Sequence, residues 1–233
     1  MRVNALIVAA GEGKRIGKDI PKPFLPIRGR PLILHTLSRF AESQRVRKVI
    51  LVTAGKELSR CQELIRSDSY LNRVECILQS GGLRRQDSVS RGLARLDADC
   101  EVVVIHDGVR PFISSRLIDR CVELAFKEGA VVVGVPVRDT IKVISADRRV
   151  RETPPRDSLW EVQTPQVFRV EIIREAYHRA AREGTEATDD ATLVERFGKG
   201  VTLLEGHTTN IKITVPEDFL FAEVLLREGR VPS

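Results

Sequence analysis

The chain has 233 residues, of which 42% are hydrophobic, 30% are charged and only 5% are aromatic. Its mean hydropathy of −0.14 and the lack of any apolar run approaching 18 residues exclude a disordered chain and a membrane-spanning helix. Lysine and arginine outnumber aspartate and glutamate by 38 to 32, and this net charge of +6 favours an anionic partner without choosing between nucleic acid, a membrane surface and a small phosphorylated substrate.

Short β-branched runs alternate along the chain with amphipathic stretches. They predict strands at 3–9, 49–53, 74–78, 102–105 and 130–135, and helices at 31–41, 57–66, 88–96 and 114–127. Further helices are predicted at 170–182, 189–196 and 216–227, with short extended segments at 201–204 and 211–214. Continuous apolar strands separated by helices predict a single-domain, Rossmann-like α/β fold whose mostly parallel sheet is covered by helices on both faces. Ligands of such sheets bind beyond the carboxyl ends of the strands.

The alternation breaks between about residue 136 and residue 159. This segment is polar and charged, alternates briefly around 140–144, and reaches a Pro-Pro pair at 154–155. We expect a β-hairpin or arm that projects from the main sheet, inserted into a single domain covering 1–233. A solvated hairpin without a special role is the alternative.

The four cysteines are widely spaced and form no C-x-x-C pair, so neither a zinc ribbon nor a redox motif is predicted. We expect buried, reduced thiols in a cytoplasmic protein. The apolar run at 5–10 is too short for the core of a signal peptide.

The turn after the first predicted strand combines glycines with cations. Residues 9–17 read A-A-G-E-G-K-R-I-G, and Lys22 follows shortly afterwards. Glycines allow the backbone to approach a ligand closely, and consecutive N–H groups can line a phosphate. The spacing matches neither a P-loop nor a dinucleotide fingerprint, and the cations favour a triphosphate over a dinucleotide. A glycine-rich turn with ordinary surface cations is the alternative.

A series of further motifs follows in order along almost the whole chain. They are P-K-P-F-L (21–25), P-L-I-L-H-T-L (31–37), G-G-L-R-R-Q-D-S-V (81–89), H-D-G-V-R-P (106–111), R-D-T-I-K (138–142), Q-T-P-Q-V-F (163–168), A-T-D-D-A (187–191) and N-I-K-I-T-V-P-E-D (210–218). Together with the glycine loop, they resemble the 2-C-methyl-D-erythritol 4-phosphate cytidylyltransferase family of the non-mevalonate isoprenoid pathway.

The resemblance implies that the chain joins CTP to methylerythritol phosphate and releases pyrophosphate. An oxygen of the substrate phosphate would attack the α-phosphorus of CTP in line, with no covalent enzyme intermediate. Because two anions must meet, positioning and electrostatic stabilisation would supply most of the catalysis. A Mg²⁺ ion would accompany the CTP phosphates.

The same resemblance assigns residues to roles. Arg15 and Lys22 would stabilise the transition state, while Arg156 and Lys212 would position the substrate phosphate. The implied CTP contacts are Ala10, Gly11, Gly13, Gly82 and Ser88. The implied substrate contacts are Asp107, Arg110, Thr140, Thr164 and Thr188, with Asp107 also near the metal ion.

Local roles compete with some of these assignments. Ser88 could instead cap a helix, and Asp107 could cap the turn that follows it. We expect His106 to be structural, and Asp189 and Asp190 to cap a helix.

The arm gains a role through the resemblance. It would hook a second subunit, and Thr140 and Arg156 would bind substrate phosphate, with the site shared across a homodimer. We expect no nucleic-acid or membrane partner, since the basic residues are scattered, aromatic residues are scarce and no nucleic-acid-binding motif occurs. Among related reactions, cytidylyl transfer to another polyol phosphate, such as ribitol 5-phosphate, stays open.

The sequence departs from the family pattern at a few positions near the implied site. They are Pro23, Leu83, Arg91 and the pair Gly108-Val109. Leu83 stands where an acidic or polar residue is common, so the details of cytosine recognition are not fixed by the motifs alone.

Overall fold

Strand β1 (Val3–Ala9), apolar except for the buried Asn4, lies in the interior of the main sheet in the computed structural model, which describes residues 1–11 and 20–231. Successive side chains of a strand point to opposite faces. Ala5 and Ile7 therefore pack into one buried apolar cluster, and Leu6 packs into another on the opposite face. An interior strand that is buried on both faces requires a sheet that is covered on both sides.

The other strands and the helices have the following bounds. The strands are β2 (Pro26–Ile27), β3 (Arg30–Pro31), β4 (Val46–Thr53), β5 (Glu75–Ser80), β6 (Val102–Asp107), β7 (Ala130–Pro136), β8 (Val143–Ile144), β9 (Val150–Glu152), β10 (Trp160–Arg169) and β11 (Thr202–Glu205). The helices are α1 (Leu32–Ala41), α2 (Leu58–Ser67), α3 (Arg85–Leu93), α4 (Ser115–Glu128), α5 (Val170–Glu183), α6 (Asp190–Arg196) and α7 (Pro216–Arg227).

The main sheet has the strand order β11-β7-β10-β6-β1-β4-β5. The pairs of β1 with β4, β1 with β6, β4 with β5 and β7 with β11 are parallel, and β10 runs antiparallel to both of its neighbours. The predicted mostly parallel α/β sheet is therefore confirmed. The chain leaves β1 toward β4 and β5 and then returns to the other side of β1 as β6. This reversal opens a crevice at the carboxyl ends of β1 and β6, where ligands of such sheets bind.

Two of the differences from the sequence-based expectations concern segments beside the crevice. Strand β10 was not predicted, because it carries polar residues such as Gln163 and Gln166 and has Pro165 in its interior, a pattern that argues against a central strand. Its pairing with β7 shifts register between Gln163 and Gln166. The segment 211–214, predicted as extended, belongs to no strand and is held through the Ile213 N–H, which donates to the Val109 carbonyl at 2.9 Å.

Helices cover both faces of the sheet. Helices α1, α2 and α4 contribute to the cluster on one face, and α3, α5 and α6 contribute to the cluster on the other. Helix α3 can approach the sheet closely because it presents Gly92, where a Cβ would lie 2.0 Å from the Cδ1 of Leu6. Helix α7 packs over a third cluster that includes Ile27, Phe112 and Ile213.

The segment predicted as an arm forms a separate two-stranded sheet of β8 and β9. Its base is closed by the Val137 N–H, which donates to the Leu159 carbonyl at 3.1 Å. Ile141, Val143, Ile144 and Val150 are between 41% and 59% exposed, so the arm carries apolar side chains that its own chain leaves uncovered. None of the helices in the described part of the chain is long and apolar enough to span a bilayer.

Candidate active site

A cleft of about 550 Å³ lies at the carboxyl ends of β1 and β6. It collects residues that are far apart in the sequence. The predicted site residues that line it are Ala10, Gly11, Lys22, Gly82, Ser88, Asp107 and Lys212. The parallel sheet brings these motifs together because the loops that follow its strands meet at the same edge.

The loop before α3 is packed tightly against the end of β1. A Cβ on Gly81 would lie 2.4 Å from the Cβ of Ala10, so only glycine allows this approach. The Ser88 hydroxyl accepts a hydrogen bond from the Gly82 N–H at 3.0 Å and can donate to the Arg84 carbonyl at 3.1 Å. Helix α3 begins at Arg85 with Arg84 as its N-cap, so the alternative of Ser88 as a helix cap is wrong. Ser88 instead holds the loop, and Leu83 extends fully exposed at the rim of the cleft.

Asp107, the last residue of β6, is surrounded by cations. Its side chain is 9% exposed, and its Oδ2 lies 2.8 Å from the Nζ of Lys212. The Nε of Arg85 lies 3.3 Å from Oδ1, and the Nε of Arg110 lies 3.8 Å from Oδ2. Burial alone would raise the pKa of the Asp107 carboxyl, but these guanidinium and ammonium groups hold it well below its ordinary value. Asp107 is therefore ionised, and it is the one acidic side chain among the described residues that line the cleft.

His106 stabilises the strand end from inside the fold. Its Nε2 lies 3.0 Å from the Arg110 carbonyl, which can only accept, so Nε2 carries the hydrogen. In a neutral ring Nδ1 then accepts from the Thr164 hydroxyl at 3.1 Å, while the Thr164 oxygen accepts from the Asp107 N–H at 3.1 Å. Burial lowers the pKa of His106 to about 4, which agrees with this neutral tautomer. The expected structural role of His106 is confirmed, and Thr164 links it to Asp107.

Lys22 and Lys212 are held by the loop that precedes α7. The Nζ of Lys22 donates to the Thr214 carbonyl at 2.5 Å. The Asp218 carboxylate accepts from the N–H groups of Thr214 at 2.6 Å and Val215 at 3.0 Å, and so closes the first turn of α7 against this loop. Hydrogen bonds to the charged carboxylate outweigh the effect of burial and lower the pKa of Asp218. One carboxylate thus fixes the loop that carries Lys212 and receives Lys22.

A second depression, of about 420 Å³, adjoins the cleft and shares Lys212 with it. Arg110 lines this depression, and its Nη1 donates to the Asn210 carbonyl at 2.8 Å. The Asn210 side chain is fully buried and donates to the Gln163 side chain and to the Thr164 carbonyl, both at 2.9 Å. The depression therefore has a rigid polar floor beside three cationic side chains, Arg110, Arg138 and Lys212.

Other predicted site residues lie elsewhere. Thr140 and Arg156 belong to the arm segment, and Arg156 lines a depression of about 540 Å³ with Arg138 and Trp160 at the arm base. Thr188 is exposed in the loop before α6, where Asp189 caps the helix by accepting from the Thr192 N–H at 2.9 Å, as expected. The predictions for Gly13 and Arg15 concern positions outside the described residues.

Sequence reasoning missed two residues that shape the site, Arg85 and Asp218. Arg85 was part of a recognised motif, but its partner Asp190 lies 105 residues away, and no local pattern reveals that pairing. The role of Asp218 could have been predicted, since an acidic residue three positions after a helix N-cap is a capping pattern.

The sequence matches the family model described as 2-C-methyl-D-erythritol 4-phosphate cytidylyltransferase over residues 3–228. Curated relatives with this description include that of Caldanaerobacter subterraneus subsp. tengcongensis, 44% identical over 98% of this chain and 100% of the relative. The relative from Geotalea uraniireducens is 46% identical over 97% of each chain.

Solved structures agree with these sequence matches. A 4-diphosphocytidyl-2C-methyl-D-erythritol synthase from Anaerococcus prevotii superposes with a TM-score of 0.87 and 31% identity over 97% of this chain and 96% of that one. A 2-C-methyl-D-erythritol 4-phosphate cytidylyltransferase from Thermus thermophilus superposes with a TM-score of 0.78 and 36% identity over 97% and 100% of the two chains.

The buried neutral His106 predicts an acid-sensitive fold. Because the pKa of His106 is about 4 in the folded chain and 6.5 ordinarily, its stabilising effect is complete above pH 6.5 and is lost as the pH falls toward 4. The expected loss in the free energy of unfolding is about 3 kcal/mol. Urea unfolding at several pH values should show a weaker dependence between pH 6.5 and 4 in His106→Gln. His178→Gln, at an exposed position on α5, is the control, and an unchanged dependence in His106→Gln would contradict the assignment.

Proposed function

Because the chain belongs to the 2-C-methyl-D-erythritol 4-phosphate cytidylyltransferase family, we propose that its cleft transfers a cytidylyl group from CTP to 2-C-methyl-D-erythritol 4-phosphate. The products are 4-diphosphocytidyl-2-C-methyl-D-erythritol and pyrophosphate. The observation that carries the proposal is the convergence of cations on one cleft. Lys22 and Lys212 line it beside glycine-rich backbone, and Lys212 also lines the adjoining depression that contains Arg110.

The chemistry requires no nucleophilic side chain. An oxygen of the substrate phosphate forms a bond to the α-phosphorus of CTP, the bond from that phosphorus to the bridging oxygen of the β-phosphate breaks, and pyrophosphate leaves. Both reactants are anions, and negative charge accumulates on the α-phosphate in the transition state. Fixed cations that face this charge lower the barrier because they need little reorganisation during the reaction.

We place the nucleotide in the cleft itself, and not in the adjoining depression. The backbone at Ala10 and Gly11, followed by Gly13, would wrap the triphosphate, with Arg15 and Lys22 at the α-phosphate. Gly82 would meet the base, and Ser88 supports this placement because its hydroxyl holds the Gly82 N–H. Leu83 lies at the same rim, where an apolar side chain can cover part of the bound nucleoside.

We place the acceptor in the adjoining depression. Arg110 would hold the polyol side, and Lys212 would hold the phosphate at the boundary with the nucleotide. Thr164 acts in this arrangement through Asp107 and His106, since its hydroxyl is hydrogen bonded to both. Thr188 is placed as a further contact near the start of α6.

We propose that Mg²⁺ binds with the nucleotide. Among the described residues, no group of three or more His, Cys, Asp or Glu side chains could hold a metal ion. Asp107 can supply one carboxylate, and Mg²⁺ commonly takes one or two carboxylates together with substrate phosphates. The donor set therefore fits this ion, which would neutralise phosphate charge when bound.

The proposed setting is the cytoplasm. All four cysteines are free, and burial raises the pKa of Cys76 and Cys121 to about 12. Unreactive, reduced thiols fit a reducing compartment.

We further propose that the chain works as a homodimer. A two-stranded hairpin is only marginally stable alone, and the apolar side chains of β8 and β9 are uncovered within one chain. The Arg156 Nη1 donates to the Arg138 carbonyl at 3.0 Å, which fixes the guanidinium at the arm base rather than in the cleft of its own chain. Arg156 and Thr140 would thus serve the cleft of the second subunit.

A pyrophosphate-release assay tests the proposed reaction. With CTP, Mg²⁺ and purified protein, we expect turnover with 2-C-methyl-D-erythritol 4-phosphate and little with ribitol 5-phosphate. Chelation of the metal with EDTA should abolish turnover. Turnover with ribitol 5-phosphate alone would contradict the assigned acceptor.

The cations assigned to the α-phosphate are tested by substitution. Lys22→Ala and Arg15→Ala should each lower kcat by about 10² to 10³, because each removes a charge that faces the transition state. Lys56→Ala, which removes a lysine exposed outside the cleft, should leave kcat unchanged. Near-normal kcat in either of the first two variants, with the thermal midpoint preserved, would remove that residue from its assigned role.

The shared site is tested by Arg156→Ala. We expect a much larger rise in KM for methylerythritol phosphate than for CTP, while Arg151→Ala, at an exposed position on β9, should change neither. Sedimentation should show a dimer. Mixing and refolding Arg156→Ala with Lys22→Ala should restore activity, because a mixed dimer contains one site with both residues. No restored activity, or a fully active monomer, would argue against a shared site.

A further inference from the structure

The side chain of Arg85 lies between two carboxylates that belong to different parts of the fold. Arg85 is the first residue of α3, and its Nε is 3.3 Å from the Oδ1 of Asp107. Its Nη2 donates to the Oδ2 of Asp190 at 2.8 Å. The Tyr177 hydroxyl donates to the other oxygen of Asp190 at 2.6 Å. A continuous chain of polar contacts therefore runs from α5 and α6 through Arg85 to the carboxylate of the cleft.

Asp190 is a fixed anchor for this chain. It is fully buried at the start of α6, and its N–H donates to the Gln166 side chain at 3.0 Å. Gln166 lies in β10, is almost fully buried, and also donates to Asp189 at 2.7 Å. Contacts other than that with Arg85 thus hold both the backbone and the side chain of Asp190, which gives Arg85 a fixed partner.

The guanidinium suits this bridging position. Its donors form a planar fork, so two of them can contact two carboxylates at once, which an ammonium cannot do with the same geometry. Burial disfavours the charge of Arg85, but Asp190 and Asp107 outweigh it and keep its pKa above the ordinary value. A buried carboxylate such as Asp190 also requires a paired cation, so the charge serves stability as well.

Both carboxylate oxygens of Asp107 are contacted by cations. Arg85 contacts Oδ1 while Lys212 contacts Oδ2, so the carboxylate is held from both sides. Without Arg85, Asp107 could rotate, and Lys212 would lose its fixed partner. We propose that Arg85 is a positioning residue for cytidylyl transfer, which orients Asp107 and through it Lys212 from the buried anchor Asp190. The inference rests on the proposed function, because Lys212 is there assigned to the attacking phosphate.

The simple variant Arg85→Met leaves the Asp190 charge buried and unpaired, and it can fail to fold for that reason alone. The test is therefore made in an Asp190→Asn background. This substitution keeps the backbone contacts of position 190 and an oxygen for the Tyr177 hydroxyl, and it removes the buried charge. Comparing Asp190→Asn with the double variant Arg85→Met/Asp190→Asn isolates the action of Arg85 on Asp107.

Wild-type activity with CTP and methylerythritol phosphate is measured first, since its absence would refute the proposed function and not this inference. We expect Asp190→Asn to retain turnover but with a lower kcat than the wild type, because Arg85 loses its charged anchor. The double variant should melt close to Asp190→Asn but have a kcat lower by about ten- to a hundredfold, with KM for CTP unchanged, because misplaced reactants slow the chemical step. Arg85→Lys in the same background should recover part of kcat, since its single charge is free to pair with Asp107.

Arg95→Met in the Asp190→Asn background is the matched control, because Arg95 is exposed just beyond α3 and its guanidinium donates, among the described residues, only to the Gln79 side chain at 3.3 Å. It should leave kcat unchanged. Equal kcat in Asp190→Asn and the double variant would overturn the inference. A raised KM for CTP with unchanged kcat would also overturn it, because Arg85 would then contact the nucleotide directly.

Discussion

The structure depends on one buried negative charge, the Asp107 carboxylate at the end of β6. Three cationic side chains surround it, and each comes from a different part of the chain: Arg85 from α3, Arg110 from the loop after β6, and Lys212 from the segment before α7. A carboxylate in this position is stable only because it is paired. The Asp107 carboxylate in turn offsets the mutual repulsion of these three cations, so they can stay close together when no phosphate is bound. The cleft is thus arranged in advance for polyanionic reactants.

The folding pattern explains why these groups can meet. The carboxyl ends of β1 and β6 lie side by side at the point where the chain changes direction across the sheet. Structural groups beneath the cleft then fix the strand ends: neutral His106 and Thr164 hold the Asp107 backbone, and Asp218 holds the loop of Lys212. The reacting region is therefore supported by uncharged or fully paired groups, while the cations that face the cleft come from surrounding loops and the first turn of α3.

Many strands and helices could be predicted from the sequence, because continuous apolar runs and helical spacing of apolar residues are local patterns. The predicted strand at 3–9 and helix at 216–227 agree with the structure in their bounds. Strand β10 could not be predicted, since half of its side chains are polar. It forms because it pairs with β6 and β7, and its own sequence has no strand pattern. The same holds for the site. Motifs indicated Lys22, Asp107 and Lys212, but the bridge from Arg85 to Asp190 depends on packing between distant helices, which a single sequence does not encode locally.

The position of strand β10 inside the sheet also determines where insertions and deletions can occur without disturbing the fold. It leaves the arm and then passes between β6 and β7, carrying Thr164 and Gln166 into the interior. One inserted residue within β10 would turn these side chains to the opposite face, because side chains alternate along a strand. An insertion between β8 and β9, at 145–149, would leave that register intact. Length variation among relatives of this chain is therefore expected at the tip of the arm, whereas the stretch that re-enters the sheet keeps a constant number of residues.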